Sequence, residues 1–460
     1  MKRTLFILLF CIWSSSLAYT QRNYAQELVD LLQQGRCFEA IALYTNHADQ
    51  LPQNDRALML LYQYHLAQFF NKPDSAGIYL EELLGNNDYQ MTLGPVTSWY
   101  YAALLRQYGA HQEFKLGIVL CDKILEYYER NPFNFDQALV QSEKDYIEEL
   151  QSEFKDRDLN EPLIKIDRIN KRKNESIQLY EDEYIRFDAK YNGVLIETLF
   201  DTGLDFYFVT EQNLADEIGI KDIKKNQNTQ KLVNGLPTEA YDGIIDSIDV
   251  GHIRLYNIPV LVLKEKLAPQ LPDTLNDVTR KNVERVFTDR QIVMGVPTMR
   301  LMGKFEFDWN QNTLSFPEGG ERKSENNTSN VFLIDNELYV HLKINGLNYS
   351  GRLDSGSNDL LTIKPSFYEK HISLFEIDSG IEQPYNHYTT SSIYLNSPYK
   401  IVKKAGIFFR GYNVENNTGE VLIIENTFNN KLDGFIGVHF LKRLLPKVIL
   451  DFDNMEIQNY

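Results

Sequence analysis

The chain has 460 residues and is 43% hydrophobic and 12% aromatic, which leaves room for two or three domains and excludes a disordered protein. Its formal charge of −17 argues against nucleic acid or anionic lipid as a partner, because both demand basic surface.

Residues 1–18 read as a cleaved leader. Lys2 and Arg3 open it, Thr4 to Trp13 form a short apolar run, and Ser16 and Ala18 supply the small residues of a cleavage site. The run is shorter than the ~20 residues that span a bilayer, and no later segment is apolar enough to do so. The chain is therefore expected to be exported, to the periplasm or beyond, without a membrane span. Losing Lys2 and Arg3, and no acid, takes the charge from −17 to −19. Cys37 and Cys121 then remain, too few for a disulfide-stapled exported domain; two buried thiols are expected, with a single bridge left open. No C-x-x-C, H-E-x-x-H or clustered His/Cys spacing marks a metal site, so no metal or cofactor is expected.

Residues 19–155 are predicted to be helical. Leu28, Leu31 and Leu32 recur at helical spacing, as do Leu58, Leu60, Leu61 and Leu66. The segments 38–44 and 74–80 look alike, with Ala40 and Ala76 at their centres, and 113–120 is a third version. Small residues at such places let paired helices pack closely, in the manner of tetratricopeptide-like hairpins; a plain helical bundle stays open. This region is a candidate surface for a protein partner. Residues 156–180 are charged and read as a linker, although Leu163–Ile166 could add an edge strand.

From 181 the texture changes to short alternating strands, in two stretches, 181–318 and 331–460, separated by a polar linker at 319–330. The stretches repeat each other. Ile185, Phe187, Ala189 and Tyr191 precede Asn192-Gly193; Leu338, Val340, Leu342 and Ile344 precede Asn345-Gly346, each 153 residues later. Alternation ending in Asn-Gly predicts a hairpin in each. At the same offset of 153, Asp201-Thr202-Gly203 matches Asp354-Ser355-Gly356. Downstream, Ile292-Val-Met-Gly295 has its counterpart in Gly434-Phe-Ile-Gly437, and acidic strand-like ends close each copy at Asp308 and Asp451.

These triplets, each with an apolar run and a later hydrophobic-hydrophobic-glycine segment, resemble the aspartic peptidases: retropepsin-like lobes in tandem, as in pepsin. The resemblance covers roughly residues 184–460. It leaves the helical segment unexplained and implies a mainly-β, bilobed acid-protease fold after it; with the N-terminal α-helical hairpin region, the chain is expected to be multidomain α and β. The resemblance also implies an endopeptidase that acts on peptide or protein substrates through a dyad of Asp201 and Asp354. One chain would carry both aspartates, so a monomer would suffice. Two carboxyls at short range cannot both ionise, so they share a proton and can act as base and acid together. By the same resemblance Thr202 and Ser355 would tie the loops together, Gly203 and Gly356 would make the tight turns, and Gly295 and Gly437 would admit a flanking strand. A covering hairpin is sought between Leu232 and Asp249, with Tyr241 at its aromatic tip, or between Gly380 and Tyr399. Beside Asp354, Ser357 would offer a hydroxyl, where Leu204 gives Asp201 an apolar neighbour. Two further classes stay open: an inactive peptide-binding module of this fold, and a scaffold acting through its helical segment.

Overall fold

The computed structural model describes residues 23–52, 55–130, 137–169, 175–224, 230–231, 237–264, 266–268, 280–281, 287–288, 290–318, 329–378, 385–389, 392–424 and 431–460. The expected leader lies outside them. Among the described residues no helix is long and apolar enough to cross a membrane.

Helices come first: α1 (Tyr24–Gln33), α2 (Cys37–Asn46), α3 (Arg56–Phe69), α4 (Pro73–Leu84), α5 (Asn87–Leu93), α6 (Thr97–Ala110), α7 (Phe114–Arg130) and α8 (Gln137–Asn160). The Asn23 and Asp55 side chains accept from the free amides of Gln26 and Leu58 and so start α1 and α3. Pro73 opens α4, where its missing N–H is no loss. Neighbours in sequence pack against each other, α3 on α4 and α7 on α8 most closely. Small residues allow this. Ala40 and Ala76 are fully buried, and a Cβ on Gly117 would collide with the Phe154 ring of α8.

α8 continues to Asn160, so the boundary expected at 155 cuts through a helix. Its last turns are charged around most of the circumference; Phe154 is buried, but one buried aromatic is too sparse a period to betray a helix. The described part of 156–180 carries regular structure. After α8 come β1 (Lys165–Arg168) and β2 (Ile177–Gln178), both paired into sheets.

The first β half then runs β3 (Arg186–Tyr191), β4 (Val194–Phe200), β5 (Phe208–Glu211), α9 (Gln212–Ile218), β6 (Lys221–Lys224), β7 (Gln230–Lys231), β8 (Pro237–Thr238), β9 (Ala240–Val250), β10 (Ile253–Leu263), β11 (Gln291–Met294), α10 (Val296–Met302), β12 (Lys304–Asp308) and β13 (Thr313–Ser315). The β3–β4 turn is Asn192-Gly193, both with positive φ (48° and 87°), the geometry that matches strand twist. Strands β10, β5, β11, β4, β3 and β9 pair in that order, and β9 pairs back onto β10, which closes a barrel. β1 adds to its rim through β10.

The second half repeats the plan: β14 (Val331–Ile334), β15 (Glu337–Ile344), β16 (Leu347–Asp354), β17 (Leu361–Ile363), α11 (Pro365–Lys370), β18 (Ile377–Asp378), β19 (Tyr385–Thr389), β20 (Ser392–Ser397), β21 (Tyr399–Val402), β22 (Ile407–Phe409), β23 (Tyr412–Val414), β24 (Val421–Ile424), β25 (Gly434–Gly437), α12 (Val438–Leu444), β26 (Lys447–Asp451) and β27 (Glu456–Asn459). Its order from β24 through β17, β25, β16 and β15 matches the first half, with β21 and β22 standing where β9 is unbroken.

A five-stranded sheet, β2-β13-β12-β26-β27, joins the halves. β12 and β26 run antiparallel, Lys304 opposite Asp451 and Asp308 opposite Lys447. Each pairing carries an ion pair, at 3.0 Å and 3.2 Å. This reciprocity is what two related strands meeting across a local twofold produce.

The helices do not stand apart from this body. Leu28, Leu32, Cys37, Ala40, Phe69 and Phe70 belong to the same buried cluster as Phe332, Tyr339 and Phe452 of the second half. Residues from α3 to α8 enclose a separate core with Cys121. The two thiols are free and buried.

Candidate active site

Each Asp-[Thr/Ser]-Gly triplet stands at the end of a central strand, β4 or β16, where the chain turns sharply before β5 or β17. The turns are built alike. Gly203 N–H donates to Asp201 Oδ1 (2.8 Å) and Gly356 N–H to Asp354 Oδ1 (3.0 Å). A Cβ on Gly203 would lie 2.5 Å from Asp354 Oδ1, and one on Gly356 would lie 2.7 Å from Asp201 Oδ1. Each carboxyl thus lies over the glycine of the opposite loop, and nothing larger than hydrogen fits there.

The loops are tied by four reciprocal bonds. Thr202 N–H donates to Ser355 Oγ (2.9 Å) and Ser355 N–H to Thr202 Oγ1 (2.9 Å). The hydroxyls donate onward, Thr202 to Leu353 O (2.9 Å) and Ser355 to Phe200 O (2.7 Å). Both side chains are fully buried, so every bond forms away from competing water. Gly295 and Gly437 take mirrored places. A Cβ on Gly295 would strike Phe206 O and lie 2.7 Å from Leu204 O; one on Gly437 would strike Asp359 O and lie 2.8 Å from Ser357 O.

Asp201 and Asp354 thus face each other across the joint between the loops. Packing of protein around the Asp201 carboxyl is the largest cause raising its pKa well above the usual range. The charge on Asp354 adds to this, while the Gly203 amide and the Arg352 guanidinium work against it. Asp205, four residues on, is also raised, first by desolvation, with Arg352 again opposing.

Two site expectations are corrected. Tyr241 is not the tip of a covering hairpin. It lies within β9 opposite Val262, and its hydroxyl accepts from Gln212 Nε2 of α9 at 3.1 Å. The hairpin ahead of it is β7–β8, and its turn, residues 232–236, lies outside the described residues; the counterpart β19–β20 also forms a hairpin. Ser357 does not serve Asp354: its hydroxyl donates to Asp359 Oδ2 (3.2 Å). Leu204 packs with Phe206 against the cluster of Leu199, Val209 and Val293.

One neighbour went unnoticed in the sequence. Arg352, on β16 two residues before Asp354, donates to Gly203 O (2.6 Å) and pairs with Glu337 (3.0 Å). The repeat places Leu199 at the matching position, and that departure was the available signal.

Residues 187–297, within the first β half, match the aspartyl protease family. Seven chains of known structure match. One is a retropepsin-like aspartic protease from Rickettsia conorii, 16% identical, with 34% of this chain and 94% of that chain covered and a TM-score of 0.19. No curated protein matches.

Proposed function

We propose that the chain is an aspartic endopeptidase with a bilobed acid-protease fold, in which Asp201 and Asp354 of a single chain form the complete dyad. The observation that carries this reading is the reciprocal seating of the two triplets, each carboxyl against the other loop's glycine and each hydroxyl against the other loop's amide. The lobes are residues 181–318 and 331–460, which bring Thr202, Gly203, Gly295 and Ser355, Gly356, Gly437 to the loops.

In this mechanism Asp201 holds the shared proton and the ionised partner accepts a proton from water. The water oxygen bonds to the scissile carbonyl carbon while the Asp201 proton supports the carbonyl oxygen. The proton taken from water then passes from that partner to the amide nitrogen, the C–N bond breaks, and a hydroxyl proton of the collapsing diol returns to the dyad, leaving a carboxylic acid and an amine. The substrate is a peptide or protein. Residues 1–18 act as an export leader in this reading, which places the enzyme in the periplasm or outside the cell.

A peptide-library digest with purified chain tests the proposal. Cleavage by the natural sequence and none by Asp201→Asn or Asp354→Asn is expected. Cleavage that survives either change rejects a paired mechanism, and no cleavage by the natural sequence favours a binding module of the same fold.

A further inference from the structure

The two β halves buttress their catalytic loops by equivalent but chemically different routes. In the second half, the loop residue Asn358 donates to Glu183 Oε2 (3.3 Å), and Lys442 of α12 donates to the carbonyls of Asp182 (2.6 Å) and Glu183 (2.8 Å). The local twofold turns these into Asp205, Asn336 and Arg300 of α10. There Asn336 Nδ2 donates to Asp205 O (3.4 Å), and Arg300 Nη1 donates to Asn336 Oδ1 (2.9 Å).

The difference is what completes the set. No carboxylate among the described residues pairs with Arg300. Its Nε donates instead to Asn71 Oδ1 (2.8 Å), a residue of the helical region. Asn71 is buried, and its Nδ2 donates to Phe452 O (2.9 Å) at the end of β26. One side chain therefore joins the end of α3 to both β halves at once. Its backbone is left-handed (φ 51°) where α3 terminates, which turns the amide toward the joint.

We propose that Asn71 is a positioning residue for the Asp201 loop: through Arg300 and Asn336 the helical region sets the placement of residues 201–207 against the opposite loop. The activity arm rests on the aspartic peptidase reading; the exchange arm does not. A loop loses placement when one of its buttressing hydrogen bonds is removed, and small displacements at a reacting centre are felt strongly.

Asn71→Gly is the clean deletion, because glycine accepts the positive φ and only the amide is lost. Hydrogen exchange on the full chain should speed up at the amides of Gly203 and Leu204 by about tenfold, the effect of one lost anchor to a charged group. Gly356 and Ser357, buttressed by Glu183 and Lys442, should keep their rates. Asn71→Asp keeps an oxygen facing Arg300 and should restore most of the protection. If the chain cleaves peptide, Asn71→Gly should lower kcat by about tenfold with KM little changed. Equal acceleration in both loops, or none in either, overturns the proposal. A chain that shows the one-sided acceleration but cleaves nothing keeps the positioning role and loses the peptidase reading.

Discussion

Replacing Thr202 by valine isolates the interlocked loops from everything else. Valine fills the same buried space, so packing is kept while the hydroxyl goes. Ser355 N–H loses its acceptor and Leu353 O loses its donor, both inside the joint between the halves. A buried polar group left unpaired costs about 1–3 kcal/mol, so two together should cost about 2–6 kcal/mol. Ser355→Ala strips Thr202 N–H and Phe200 O in the same way. The double variant should fall short of the sum by about 1–3 kcal/mol, because the four bonds act as one network. Urea unfolding followed by Trp309 fluorescence reads this. That indole stacks on Phe307 with ring centroids 5.0 Å apart and donates to Leu441 O at 3.1 Å, so it reports the central sheet. Trp99 is 54% exposed and changes little on unfolding. Single-variant losses below about 0.5 kcal/mol, the range of ordinary surface changes, would refute the reasoning. Strict additivity would refute the network.

Gly295→Ala and Gly437→Ala should each destabilise by about 1–3 kcal/mol or more, since a methyl meets a backbone oxygen that cannot swing away; thermal unfolding checks both. Asp201→Asn should stabilise the fold at neutral pH. The folded Asp201 carboxyl titrates above its ordinary value, so the folded state holds more protons than the unfolded one between those two pH values, and stability falls as pH rises through that window. The gain from asparagine should thus grow from acid toward neutral pH and vanish below about pH 4; melting temperatures across pH 3–8 measure it. Arg36→Met should cost about 1–3 kcal/mol, less than for a fully buried pair because Arg36 is part-exposed. It strands the buried Asp433 carboxylate, which Arg36 meets at 2.7 Å. Adding Asp433→Asn should recover most of the loss in a double-mutant cycle.

Much of the site was legible because it is written twice. The offset of 153 aligned the Asn-Gly hairpins, the triplets and, through them, the hydroxyls of Thr202 and Ser355 that interlock. What the repeat could not show is what depends on distant pairing. Asn71 and Arg300 are 229 residues apart, and no local period marks either. The offset also slips downstream, to 143 between Lys304 and Lys447, which hid the reciprocal ion pairs with Asp451 and Asp308. Ser357 misled because its hydroxyl had two carboxylates within a few residues and turned to Asp359. Amphipathic spacing in the helical region shows that a face is buried, not what buries it. Phe69 and Phe70 in fact share their cluster with Phe332.

The claim that one chain holds a complete dyad is tested most directly by mixing two inactive variants. Asp201→Asn and Asp354→Asn chains are combined in equal amounts and assayed on a peptide that the natural sequence cleaves. A dyad within each chain predicts that the mixture stays inactive at every concentration, while natural-sequence activity rises in proportion to enzyme. Activity recovered by the mixture would mean that Asp201 of one chain meets Asp354 of another, and would contradict the account.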